Sequence, residues 1–347
     1  MKRSVMVTLF SFLPAVWGFA QADLQTAAIV NLTKSEPITV RQVRIEVERM
    51  EKTAGRTLNR DERVQVLDMM INERLALQAA ERDKITISEN EVNQQINQLK
   101  LQMVEVIGRQ PTDAEFAAAV KSETGLEMAA YREQVRRQLI MQRYLMSKKE
   151  SSFENIKVPA ESEIVSAYNL YQTNFVRPAT VRFSMIQVAY GVDAAAKTKA
   201  REQIDRLARE IGSNPAKFDE VVLRGQSPNA GYQAGDGGYL PRNPDAVQVV
   251  GQEFINIAFA LKQGEVSKVI EGKPGYQIIK ITETYVMKSL ELDDIFQLGS
   301  LMTVREYIRD TLMQERQMEA LQTATQELVS ELRAGRTFQV FEKNLNW

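Results

Sequence analysis

The chain is 347 residues long and nearly balanced, with 44 Lys+Arg against 45 Asp+Glu, so no polyanion is implied as a partner and nothing points to nucleic acid. It contains 0 His and 0 Cys, which excludes Ser-His-Asp and Cys-His nucleophiles, thiolate or imidazole zinc sites, redox pairs and disulfides. A carboxylate-only site such as a glycosidase pair stays open, and the length suggests two or three domains.

Met1-Lys2-Arg3 is a short basic start, followed by an apolar run from about Val5 to Ala20 and the small-x-small pattern Ala20-Gln21-Ala22. The run is shorter than the ~20 residues of a spanning helix, and Pro14 interrupts it. The reading is a signal peptide, 1–22, cleaved after Ala22; an uncleaved N-terminal anchor is the alternative. Export from a cell with two membranes would leave the protein in the periplasm, with no stable membrane span.

Next, AAIVNLTKSEPIT reads as a short strand, a turn at Lys34-Ser35-Glu36 and the lead into a helix. Thr39 to Gln42, Asn59 to Glu62, Ser88 to Glu91 and Thr112 to Glu115 each place an N-cap residue three before Glu or Gln. Apolar stripes follow, Val64-Leu67-Ile71-Leu75 and Val92-Ile96-Leu99-Met103. Gly55, Gly108 and Gly125 stand where helices stop. Further helices are expected over about 127–146 and from Pro159 to near Phe175.

After Arg177-Pro178, residues 181–190 alternate as a strand, with Phe183, Met185 and Gln187 on one face and Ser184, Ile186 and Val188 on the other. Helices over 193–211, 215–223 and 254–261 follow, with a Gly-, Asn- and Pro-rich loop over 225–238. That loop lacks the Lys-Ser/Thr ending of a phosphate-binding P-loop. Gly264 to Ser267 then introduces a hairpin ending in 275–282. Near the C-terminus a long amphipathic helix, about 304–332, is stopped by Gly335, and RTFQVF reads as a strand. A lone strand needs a partner; the segment around Ala28-Ile29-Val30 is the candidate.

The segments VRFSMIQV, FDEVVLRGQSPNAGYQAGDGGYL and FINIAFALKQGEVSKVIEGKPGYQIIKI resemble a parvulin-type (PpiC-type) peptidyl-prolyl isomerase domain. AAIVNLTKSEPITVRQV, VLDMMINERLALQAAERDKITISENEV and YREQVRRQLIMQRYL resemble the helical part of SurA-like exported chaperones. The resemblance implies an α+β chain: a signal peptide (1–22), a helical chaperone module (23–177), one parvulin-like β-α-α-α-β-β domain (178–286), and a C-terminal helix and strand (287–347) closing the helical module.

The resemblance also implies a site. Met185 and Gln277 stand where the family has its two histidines, and Ser227 at its usual Asp or Cys position. These three are the candidate catalytic positions of a degenerate site. Leu240, Val250, Phe254 and Phe259 match substrate-binding walls around a proline-sized apolar hollow. Gly237 replaces the leucine of the family's glycine-rich turn, thinning the pocket, with Leu240 as partial compensation. Seen singly, Met185 and Phe259 also fit ordinary core positions, Ser227 a turn and Gln277 a solvated strand face.

Rotation about Xaa-Pro makes and breaks no bond, although its barrier is ~18–20 kcal/mol. Binding the twisted amide in a dry pocket can therefore catalyse it without imidazole. No cofactor and no metal is expected. The implied function is a periplasmic folding factor for unfolded or proline-containing polypeptides, outer-membrane proteins among them, with isomerase activity reduced or lost. The alternative is a non-catalytic docking protein, with Met69, Met70, Met103, Met128, Met141 and Met146 suited to adaptable contacts or simply core.

Overall fold

A computed structural model describes residues 25–227 and 229–347; the expected signal peptide lies outside them. The described residues form two compact units, one running up to Lys157 and resuming over Arg316–Trp347, the other Val158–Glu315. Among the described residues no helix is long and apolar enough to cross a membrane.

The first unit begins with β1 (Thr26–Val30) and β2 (Glu36–Thr39), an antiparallel pair. Pro37 in β2 argues against a strand, but β2 lies at the sheet edge, where a missing N–H costs nothing. The turn between them is held by the buried Gln78, whose Oε1 accepts from the N–H groups of Leu32 and Thr33, both at 3.0 Å.

Helices α1 (Val40–Ala54), α2 (Arg60–Arg82), α3 (Glu89–Ile107) and α4 (Asp113–Thr124) each start at a reciprocal capping box, on Thr39, Asn59, Ser88 and Thr112. α1, α3 and α4 end at left-handed Gly55, Gly108 and Gly125, a conformation a side chain would strain. α5 (Met128–Lys148) and the short α6 (Glu150–Glu154) follow.

The box carboxylates have a consequence in acid. Glu62 and Glu115 are held down to about 2 by Arg56 and Arg109 and by the cap N–H groups, and Glu91 to about 2 by the Ser88 N–H and Arg143. Because the folded values are depressed, the stabilisation is complete above the ordinary carboxylate value of 4.5 and disappears as pH falls toward about 2. Circular-dichroism melts of the full chain should lose midpoint across that window. The triple variant Glu62→Gln, Glu91→Gln, Glu115→Gln should lose less; an equal loss would contradict this origin.

The second unit opens with α7 (Glu161–Tyr171), then β3 (Val176–Arg177) and the ten-residue β4 (Thr180–Ala189). α8 (Ala194–Ile211), α9 (Pro215–Gly225), β5 (Gln233–Pro241), α10 (Pro244–Val250), α11 (Gln252–Ala260), β6 (Ile270–Glu271), β7 (Gly275–Tyr285) and β8 (Lys288–Ser289) follow. The antiparallel sheet has the order β5-β4-β7-β6. Part of the expected glycine-rich loop is therefore an edge strand, so the order contains a strand between α9 and α10 that the sequence reading lacks. Its glycines serve a bulge: Phe183 pairs with Gly238 and Ser184 with Asp236, leaving Gly237 extra.

Both sheet faces are covered. Ile186, Val188 and Ile278 pack with Ile204 of α8 and Phe218 and Val221 of α9. Val181, Phe183, Ile279 and Ile281 pack with Phe254, Ile255 and Ala258 of α11. Each fully buried side chain of this kind contributes roughly 1.5–3 kcal/mol relative to exposure.

The long α12 (Val304–Ala334) ends the second unit and re-enters the first at Arg316. β9 (Phe338–Val340) then pairs antiparallel with β1, Ala28 opposite Val340 and Val30 opposite Phe338. The expected terminal strand thus has the expected partner. The second unit is bounded at 157/158 and 315/316, whereas the boundaries expected from the sequence are 177/178 and 286/287. The reason is one apolar cluster in the second unit, Ile164, Phe175, Leu290, Val304 and Ile308, which ties α7 to the start of α12.

Candidate functional site

On the sheet face beneath α11, Gln187 of β4 stands opposite Gln277 of β7, and Met185 opposite Ile279. The Gln277 amide is buried and donates to Gln187 Oε1 at 2.9 Å and to Met185 Sδ at 3.3 Å. Met185 and Gln277, two of the three candidate catalytic positions, thus meet across neighbouring strands. Gln187 is the third member, and the sequence reading did not include it. Its signal was present, since alternation along β4 puts Gln187 on the same face as Met185.

The wall residues divide. Leu240 and Phe254 are only 5 % and 3 % exposed and belong to the core beneath α11. Met185, Val250 and Phe259 are half-buried at its margin, and the Arg242 guanidinium lies 5.4 Å from the Phe259 ring centroid. Phe183 meets Phe254 edge-on, centroids 5.5 Å apart. The space beside Gly237 is already taken by Phe183: a Cβ there would stand 2.3 Å from its ring. Gly237 therefore admits a phenylalanine ring rather than opening a void that Leu240 must fill.

Ser227 stands elsewhere. It is exposed in the turn after α9, its N–H donating to Arg224 O at 3.2 Å and its carbonyl accepting from the Ala230 N–H at 3.1 Å. α9 packs on the opposite sheet face, so Ser227 shares neither cluster nor hydrogen bond with Met185 and Gln277 among the described residues.

Near one end of the sheet, Arg182 bridges Asp236 (2.6 Å) and Glu283 (3.0 Å). The guanidinium beside it holds the Asp236 carboxyl below the usual range; Glu283 is lowered first by the Tyr285 hydroxyl and then by Arg182. Among the described residues no cluster of three or more acidic side chains could hold a metal ion. The Met185–Gln187–Gln277 trio offers amides and a thioether, so it can bind and orient an amide but cannot move a proton near neutral pH.

The first unit carries a groove of about 770 Å³ between α1, α2, α4 and α5, lined by Ile45, Arg49, Met70, Arg74, Leu126, Arg137 and Met141, among others. Of the methionines singled out by composition, Met70 and Met141 reach it. Met103 and Met128 pack on the Val92–Phe116 core, while Met69 and Met146 are exposed.

Sequence profiles of two families match: the SurA-like N-terminal domain over residues 1–145 and the PPIC-type PPIase domain over residues 159–295. Foldase protein PrsA of Clostridium botulinum is 25 % identical over 298 residues, covering 84 % of this chain and 77 % of that protein. Chaperone SurA of Chromohalobacter salexigens is 26 % identical over 227 residues, 65 % of this chain and 48 % of that one. A solved SurA-like chaperone of Campylobacter jejuni aligns over 91 % of this chain and 99 % of its own, at 14 % identity and a TM-score of 0.40. The chain thus joins a SurA-like N-terminal domain to a PPIC-type PPIase domain.

Proposed function

We propose that the protein is an exported folding factor that holds unfolded polypeptides, outer-membrane proteins among them in a cell with two membranes, and accelerates prolyl isomerisation weakly. The observation that carries this reading is the pairing of the two matched domains in one chain. Polypeptide is held along the α1–α5 groove, where Met70 and Met141 adapt to varied side chains. Proline-containing segments contact the margin formed by Met185, Val250 and Phe259, with Gln277 beneath. Ser227, whose backbone bonds only within the turn after α9, is assigned no part in that contact.

A second reading, a docking domain with no catalysis, is favoured by one specific feature. The Gln277 amide is already bonded to Gln187 and Met185, so an entering Xaa-Pro carbonyl must displace a buried bond. Light scattering of a denatured outer-membrane barrel diluted with and without the full chain tests the holding function. Suppression near equimolar ratio is expected; undiminished aggregation would contradict it.

A further inference from the structure

Apart from the isomerase-type face, the second unit carries an apolar groove of about 590 Å³, formed by α7, the loop before α12 and the start of α12. Its floor is Phe175, 6 % exposed and 6.2 Å edge-on from Phe296, which stacks on Tyr307 at 4.1 Å. Leu170 and Tyr171 stand at its rim, 73 % and 54 % exposed. Single exposed apolar residues are ordinary, but these converge on one cavity of ligand-pocket size.

The polar lining specifies the occupant. The Ser166 hydroxyl donates to Ser162 O at 2.7 Å and the Thr311 hydroxyl to Tyr307 O at 2.9 Å. With their protons committed, these two lining hydroxyls have only acceptor capacity left, while Asn174 adds an amide that can donate or accept. Glu315 is the one charged residue lining the groove among the described residues, and it forms no ion pair there. An aromatic floor, polar walls and a carboxylate without a charged partner complement a segment bearing aromatic side chains, unpaired backbone amides and a cation.

We propose that this groove is a second polypeptide site, taking extended segments in which aromatic or aliphatic residues flank a Lys or Arg. The proposal rests on the folding-factor reading and assigns it a substrate class.

The probe is a fluorescein-labelled peptide, Gly-Ser-Phe-Leu-Lys-Phe-Ser-Gly, titrated with the full chain by anisotropy. Two partners accompany it, one with Glu for Lys and one with Ser for both Phe. The Lys peptide should bind best. Leu170→Asp should weaken it about tenfold or more, by placing charge on an apolar wall. Glu315→Lys should reverse the preference between Lys and Glu peptides. Both positions are exposed, and unchanged circular dichroism establishes folding.

Equal binding of the Lys and Glu peptides, or indifference to both substitutions, overturns the proposal. Concentration-dependent self-association abolished by Leu170→Asp also overturns it, because the occupant is then a second copy. Aggregation suppression by the same samples separates the two readings. Suppression without peptide preference sinks the groove alone, and its absence sinks the folding-factor reading as well.

Discussion

Gly237→Leu is expected to destabilise the second unit by about 1–3 kcal/mol or more, the range for overpacking a filled site. The cause is specific. A Cβ at this bulge would lie 2.3 Å from Phe183 Cε2 and 2.5 Å from Cζ, and Phe183 is pinned by Phe254 across the core. Phe183→Ala alone should cost about 3–5 kcal/mol by leaving a cavity. Combined, the two should be less damaging than their sum by at least about 1 kcal/mol, since leucine then enters the space the ring vacated. Urea unfolding of the four proteins closes this cycle. Additive effects would show that Phe183 and residue 237 do not compete for one volume.

Leu345→Ala should remove about 2–5 kcal/mol from the first unit, the usual cost of a buried leucine truncated where the surroundings cannot collapse. Leu345 is fully buried among Ala27, Val43, Leu67 and Ile71, with Phe338, Val340 and Trp347 packed alongside. Trp347 in turn lies under the Arg44 and Arg63 guanidinium groups, 4.7 and 4.8 Å from its ring centroid. The C-terminal segment therefore completes the core that begins with β1. Chemical unfolding followed by far-ultraviolet circular dichroism measures the effect. A change below about 0.5 kcal/mol, typical of a surface position, would mean that the core closes without this segment.

Local chemistry made most of the helices legible. Each capping box needs only an N-cap residue and a Glu or Gln three residues on, and Thr39, Asn59, Ser88 and Thr112 use them as the spacing implies. The β1–β9 pairing was legible for a different reason: an isolated terminal strand has unpaired backbone groups and must find an edge. What stayed hidden depended on partners distant in sequence. Gly235, Gly237 and Gly238 look like a loop, because glycine weakens a strand, until β4 supplies a ladder and a bulge. Pro37 conceals β2, and the Pro244–Val250 helix is too short for periodicity to reveal. In the site, strand alternation put Met185 and Gln187 on one face, but the register bringing Gln277 opposite Gln187 is a tertiary fact. Ser227 was placed by spacing from the glycine-rich turn alone, and spacing cannot tell which hydrogen bonds a turn residue makes.

An isomerase-type domain without imidazoles should still receive proline-containing chains while twisting them poorly. Magnetisation-exchange NMR on a Phe-Pro peptide measures both in one sample, since contact broadens the peptide resonances and catalysis raises the cis/trans rate. Broadening that Val250→Asp reduces is expected, with the rate staying within about tenfold of the uncatalysed one, a barrier change of no more than ~1.4 kcal/mol. A rate raised by several powers of ten, or sharp peptide resonances at saturating protein, would contradict it.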